Sequence, residues 1–160
     1  MENFARRKFL GKLALLGGMV GVGSARAAEA QAPTRQFVKR DASQASGYSQ
    51  SVITQGGRII WLAGHATDKD ASGKSLAGDF EGQVRAVFAF IEDTLKKSGG
   101  KLSDMVTMTV FLTDPRNHKT FTNMRREILG DNFPASASIA ISHLATPALL
   151  LEIQGVAVIA

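Results

Sequence analysis

Apolar residues along the chain change period from one segment to the next. Phe80, Val84, Val87, Phe88, Ile91 and Leu95 follow one another at spacings of 4, 3, 1, 3 and 4, the single stripe of an amphipathic helix. Asp79 and Glu81 suit the N-terminus of that helix, Lys96 and Lys97 its C-terminus, and Gly99-Gly100 ends it. A second helix is expected from about Asn117 to Leu129, burying Phe121, Met124 and Ile128. Between them, in "DMVTMTVFLTD", the period drops to two: Val106, Met108, Val110 and Leu112 point one way, Thr107, Thr109 and Thr113 the other. "SVITQGGRIIWLAG" reads as two strands around Gly56-Gly57, a hairpin signal, with Trp61 expected in the core. A short strand is expected at Phe37–Lys39, and two more at Ser136–Ser142 and Leu149–Ile159.

The order is βββ-α-β-α-ββ. Two helices cover only one face of such a sheet. The other face, lined by threonines, needs water or a partner, and an oligomer formed through it is the natural solution. The reading is therefore one α+β domain over residues 37–160, a six-stranded mixed sheet with two helices on one face, preceded by a flexible polar start at 28–36.

Composition supports a globular domain: 160 residues, 44% hydrophobic and 21% charged. The absence of cysteine excludes disulfides and thiolate chemistry. The net charge of +5 misleads, because residues 1–27 carry five basic groups and one acid; the remainder holds 14 basic and 13 acidic residues, or +1. A nearly neutral domain has no electrostatic footprint for nucleic acid. Residues 1–27 have a basic start, an apolar run from Leu13 to Val22 and small residues at Ala25–Ala30, the anatomy of a signal peptide cleaved after Ala27 or Ala30. Arg6-Arg7 followed by Lys8, Phe9 and Leu10 resembles the twin-arginine export motif, although Ala5 and Gly11 depart from it. A periplasmic location follows as an expectation, without stable membrane association after cleavage.

Glu152 is the one carboxylate in the apolar strand "LLLEIQGVAVIA". Aliphatic neighbours desolvate it and disfavour its charged form, which suits a group that moves protons or holds a water near neutral pH. An edge position facing solvent, or a pairing with Arg125 or Arg126, is the structural alternative. Tyr48, the single tyrosine, offers stacking area and a hydroxyl, or merely packs near a turn. Gly64 and His65 follow an apolar strand and suit a loop facing a cleft, although a surface histidine is the preferred reading of His65. The three histidines lack a shared ligand spacing and there are no cysteines, so no metal is expected; no phosphate loop or dinucleotide fingerprint is present, and no cofactor is expected.

Six segments, in order, resemble the RidA (YjgF) family of imine/enamine deaminases: "GYSQSV" at 47–52, "IIWLAGH" at 59–65, "VTMTVFLTD" at 106–114, "FTNMRREI" at 121–128, "FPASASI" at 133–139 and "LEIQGVAV" at 151–158. The resemblance implies a homotrimer with a central barrel and active sites in the clefts between subunits, acting on a small-molecule imine. It implies that Glu152 positions the attacking water and that Tyr48, Gly64 and Asn123 line the pocket; His65, next to Gly64, is counted with them. It also implies an arginine where this chain has Ser136, in "PASAS" rather than Pro-Ala-Arg-Ser. That arginine would grip a substrate carboxylate bidentately. Without it 2-imino acids are disfavoured, and a carboxylate-free imine is the expected substrate. The sequence places none of the other cations, Arg58, Arg125, Arg126 or His143, in the pocket. A non-catalytic trimer binding a small ligand or a partner protein is the rival. Ribonuclease activity, attached to some relatives, is disfavoured by the near-neutral charge and the lack of an aromatic-basic strip.

Overall fold

Asp79 starts the long helix α2 (Phe80–Lys97): its carboxylate accepts from the Gly82 N–H at 2.9 Å, satisfying a donor that the first turn leaves free. All six residues of the expected stripe are buried on this helix. Helix α3 (His118–Leu129) buries Phe121 and Met124, as expected, and also Arg125, whereas Ile128, expected to be buried with them, is only half-buried against the core. The rings of Phe88 and Phe121 stack at 6.3 Å and tie the two helices together. The computed structural model describes residues 32–160; the expected signal peptide at 1–27 and the start of the polar segment lie outside the described residues.

Beneath these helices lie β3 (Arg58–His65), β4 (Met105–Leu112), β5 (Ala135–Ala140) and β6 (Leu151–Ile159), in the order β3-β6-β4-β5. The β4–β5 pair is parallel and the others are antiparallel, so the sheet is mixed. Strands β1 (Thr34–Val38) and β2 (Ser51–Gln55) form a separate antiparallel ribbon, and a five-residue helix α1 (Asp41–Ala45) joins them. The expected six strands are present, divided into two and four. A bridge between Ser49 and Ala135 links the ribbon to the edge of β5. β1 begins three residues before the expected Phe37, inside the segment read as a flexible start.

The hairpin expected around Gly56-Gly57 does not form. β2 pairs with β1 and β3 pairs with β6. Both glycines have positive φ, and a Cβ on Gly57 would lie 2.5 Å from the Ile159 carbonyl oxygen. The turn thus hands the chain from the ribbon to the sheet against the end of β6. As the long apolar central strand, β6 needs ladder partners on both edges, and β3 and β4 supply them.

Alternation along the strands sorts the faces. Met108, Val110, Leu112, Leu151, Ile153 and Ala157 are buried with the helices. Trp61 pairs with Val156, and Val156 with Thr107, on the uncovered face. Trp61 is therefore not a core residue: it is 78% exposed, with Ile59 beside it at 57%. An apolar strand run alone does not say which of its alternate residues face the helices.

Candidate functional site

Glu152 sits on β6 opposite Phe111 of β4, on the uncovered face and half-buried. Its carboxylate lies directly against Gly64. A Cβ on Gly64 would fall 1.9 Å from Oε1 and 2.7 Å from Cδ, so glycine is the residue that admits the carboxylate there. The β3–β6 register shifts between Leu62 and His65, and this irregularity brings Gly64 alongside Glu152. Among the described residues no side chain donates a hydrogen bond to Glu152 or pairs with it. The pairing with Arg125 or Arg126 weighed from the sequence does not occur.

His65, named with the pocket residues and otherwise read as a surface histidine, is 5% exposed. Its ring lies edge-on to Phe90 of α2 at 4.8 Å. Nδ1 is 2.8 Å from the Ala63 carbonyl, which only accepts, so Nδ1 carries the proton; Nε2 is 3.1 Å from the Thr94 hydroxyl. Both nitrogens are occupied within the chain. The geometry makes His65 a clamp between β3 and α2, because the shifted register turns its ring toward the helix.

A second group forms where α3 meets β5. Arg125, 3% exposed, donates from Nη1 to the Ser136 hydroxyl at 2.9 Å and from Nη2 to the Ser46 carbonyl. Its guanidinium lies 5.3 Å over the Phe121 ring. Among the described residues no carboxylate faces it, and its Nε has no partner. Burial pulls its pKa down to about 10, while nearby Tyr48 acts in the opposite sense. Gly47 (φ 69°) makes this packing feasible, since a Cβ there would come within 2.7 Å of Arg126 Cγ and 3.3 Å of Arg125 Nε.

Of the residues named from the sequence, Gly64 joins Glu152 and Ser136 joins Arg125, while the Tyr48 hydroxyl, on the loop after Gly47, meets the Gln50 amide at 3.5 Å. Asn123 joins neither: it is exposed on α3, two residues and about 200° around the helix from Arg125. Arg125 had a readable signal, since it lies four residues after Phe121 and three before Ile128, within the apolar stripe. The other cations lie elsewhere. Arg58 donates to the Ala160 carbonyl at 3.0 Å, His143 meets Ser142 at 2.9 Å, and Arg126 lines a surface hollow with Lys39 and Asp131.

Ser136 pairs with buried Met108 and so faces the helices, whereas Glu152 pairs with Phe111 on the opposite face. Among the described residues no three His, Asp or Glu side chains gather as metal ligands, and no helix is long and apolar enough to cross a membrane.

Comparisons with known proteins match this architecture. The chain is 28% identical to a RutC family protein of Pyrococcus horikoshii over 69% of this chain and 85% of that one. It is 24% identical to a 2-iminobutanoate/2-iminopropanoate deaminase of Dermatophagoides farinae, over 70% of this chain and 85% of that one. The crystal structure of a Rid family protein of unknown function from Yersinia pestis superposes with a TM-score of 0.69 at 24% identity, covering 78% of this chain and 98% of that one. The family model described as Endoribonuclease L-PSP matches residues 39–159. With nearly the whole described chain matched in sequence and its fold shared, the protein belongs to the endoribonuclease L-PSP family, the RidA (YjgF) family.

Proposed function

We propose that this protein hydrolyses a small imine or enamine. Water adds to the C=N carbon, the carbinolamine loses ammonia, and a carbonyl compound is left. Glu152 accepts a proton from the attacking water and returns it to the departing nitrogen. An iminium carbon is already electrophilic, so the site needs to supply only positioning and proton transfer. The observation that carries this reading is the Glu152 carboxylate, unpaired among the described residues and seated against Gly64 on an open sheet face. The named deaminase among the relatives agrees with it. Ser136 brings no charge of its own to β5, so any anion on the substrate has to be met by a cation from another element.

The exposed apolar pair Trp61 and Ile59 supports assembly of copies, a homotrimer in the family pattern, through the uncovered face that also carries Glu152. The Arg6-Arg7 segment supports export and a periplasmic site of action. The test is ammonia release from imines generated in situ by an amino-acid oxidase and by an amine oxidase, for the wild type, Glu152→Gln and Glu152→Ala. Loss of turnover by at least about 100-fold in both variants is expected, at the low end of general acid–base contributions. Unchanged turnover in folded Glu152→Gln, or none in the wild type, overturns the assignment and leaves a ligand-binding oligomer as the reading.

A further inference from the structure

We propose that Gln83 is a positioning residue for the Glu152 site: from inside α2, its side-chain amide fixes the backbone that enters β6 two residues before the carboxylate. Gln83 lies among the buried apolar residues of α2 and is itself 0% exposed. A buried amide is costly unless its two N–H donors and its oxygen find partners. Here Nε2 donates to the Ala148 carbonyl at 2.8 Å and to the Leu76 carbonyl at 3.0 Å, and Oε1 accepts from the Leu150 N–H at 2.9 Å. Only one orientation of the amide makes all three bonds, because a flip would set its oxygen against two carbonyl oxygens.

Two of the three partners lie on the approach to Glu152. The Leu76 carbonyl also receives the Asp79 N–H at 3.0 Å, so it has a second tie. The Leu150 carbonyl accepts from the Thr113 backbone N–H at 3.1 Å and from the Thr113 hydroxyl at 3.2 Å. Leu150 is thus gripped from α2 at its N–H and from the residue after β4 at its C=O, and β6 begins with the next residue. Glu152 follows about 7 Å along the strand. Gly64 seats the carboxylate from the neighbouring strand β3, and Gln83 fixes the place along the chain from which that carboxylate projects. Without the amide, the Ala148 carbonyl and the Leu150 N–H lose these bonds, and their segment has to shift toward water to replace them.

Only the reaction that Gln83 serves rests on the imine-hydrolysis reading; its three bonds do not. The test compares the full-length wild type with Gln83→Met, similar in length but unable to make any of the three bonds. Leu95→Ala, a core truncation near the far end of the same helix, controls for lost stability alone. Imine turnover, hydrogen exchange at the Leu150 amide and the NMR titration of the Glu152 carboxyl are measured on each. Gln83→Met should lower kcat about 10- to 100-fold with KM within about threefold, the pattern of a misplaced catalytic group. It should also speed exchange at Leu150 and displace the Glu152 titration. Leu95→Ala should lower the melting temperature yet keep turnover within about threefold and the Glu152 titration unchanged.

Unchanged turnover and an unchanged Glu152 titration in folded Gln83→Met overturn the proposal. So does an equal loss of turnover in Leu95→Ala. If Gln83→Met does not fold, Gln83→Glu decides. Its protonated side chain keeps one donor and one acceptor, and its ionised form cannot donate to either carbonyl. Its turnover relative to wild type should therefore recover on acidification and fall as the carboxyl ionises; a flat ratio overturns the proposal. No turnover by wild type, with the Glu152 titration displaced in Gln83→Met, would retain the positioning role and reject imine hydrolysis. Glu152-dependent turnover that Gln83→Met leaves intact would do the reverse.

Discussion

The contact between Gly64 and Glu152 separates activity from stability in one substitution. In Gly64→Ala the new Cβ would stand 1.9 Å from Glu152 Oε1 and 2.7 Å from Cδ. Attractive contacts between carbon atoms lie at roughly 3.5–4.0 Å, so the carboxylate has to retreat by more than about 1 Å. The backbone contributes no strain, since Gly64 is not among the positive-φ glycines. The obstructing atoms are the free end of a flexible side chain, and moving it off its rotamer costs about 0.5–1.5 kcal/mol. The melting temperature should therefore fall by only a few degrees. A displacement of about 1 Å in a catalytic group can lower the rate about 100-fold, equivalent to about 2.7 kcal/mol at the transition state. Imine turnover and thermal unfolding would be measured for wild type, Gly64→Ala, Glu152→Ala and the double variant. In the Glu152→Ala background alanine at 64 should cost neither stability nor activity, because the obstructing carboxylate is gone. A folded Gly64→Ala chain with turnover within threefold of wild type would refute the reasoning, as would equal destabilisation in the two backgrounds.

Trp61 is the single tryptophan, and a partner covering the uncovered face would blue-shift its fluorescence and protect it from acrylamide; Trp61→Arg should then reduce the mass in solution to that of one chain, measured by light scattering. His65→Ala should cost roughly 2–4 kcal/mol in denaturant unfolding, because it empties a buried site and leaves Ala63 and Thr94 without their ring partner. Asn123→Ala, on an exposed helix face, should leave stability within about 0.5 kcal/mol and turnover within twofold. The Arg116 side chain and backbone N–H both hydrogen-bond Asp114 and hold its carboxyl below the ordinary value of 3.8; NMR titration should show that depression shrink, without vanishing, in Arg116→Ala, which keeps the backbone donor. The sign follows: this contact stabilises the fold above the unfolded carboxyl value and is lost as pH falls through the lower folded one.

The two long helices α2 and α3, all four strands of the main sheet and the carboxylate at Glu152 were legible because each is a local pattern, whereas the five-residue α1 was not expected. A 3.6-residue stripe, a two-residue alternation or an acid among aliphatics needs only neighbours in sequence to be recognised. Gly64 and Glu152 were both readable as singular residues, but their contact was not. It depends on an irregular register between strands that are far apart in the chain.

Pairing beyond the local pattern is where the sequence stopped. It announced a turn at Gly56-Gly57 but not that the two flanking strands would choose different partners. It placed Trp61 in an apolar strand, yet the face that Trp61 occupies follows from β3 pairing with β6 in one register rather than the next. It showed Ser136 without charge, and it showed Arg125 inside a helical stripe. Only folding brought the guanidinium to the serine eleven residues on and to a carbonyl 79 residues away. Periodicity is written by the side chains themselves. Which distant atoms come within 3 Å of one another is set by how the sheet and helices close on a shared core, and no local pattern contains that information.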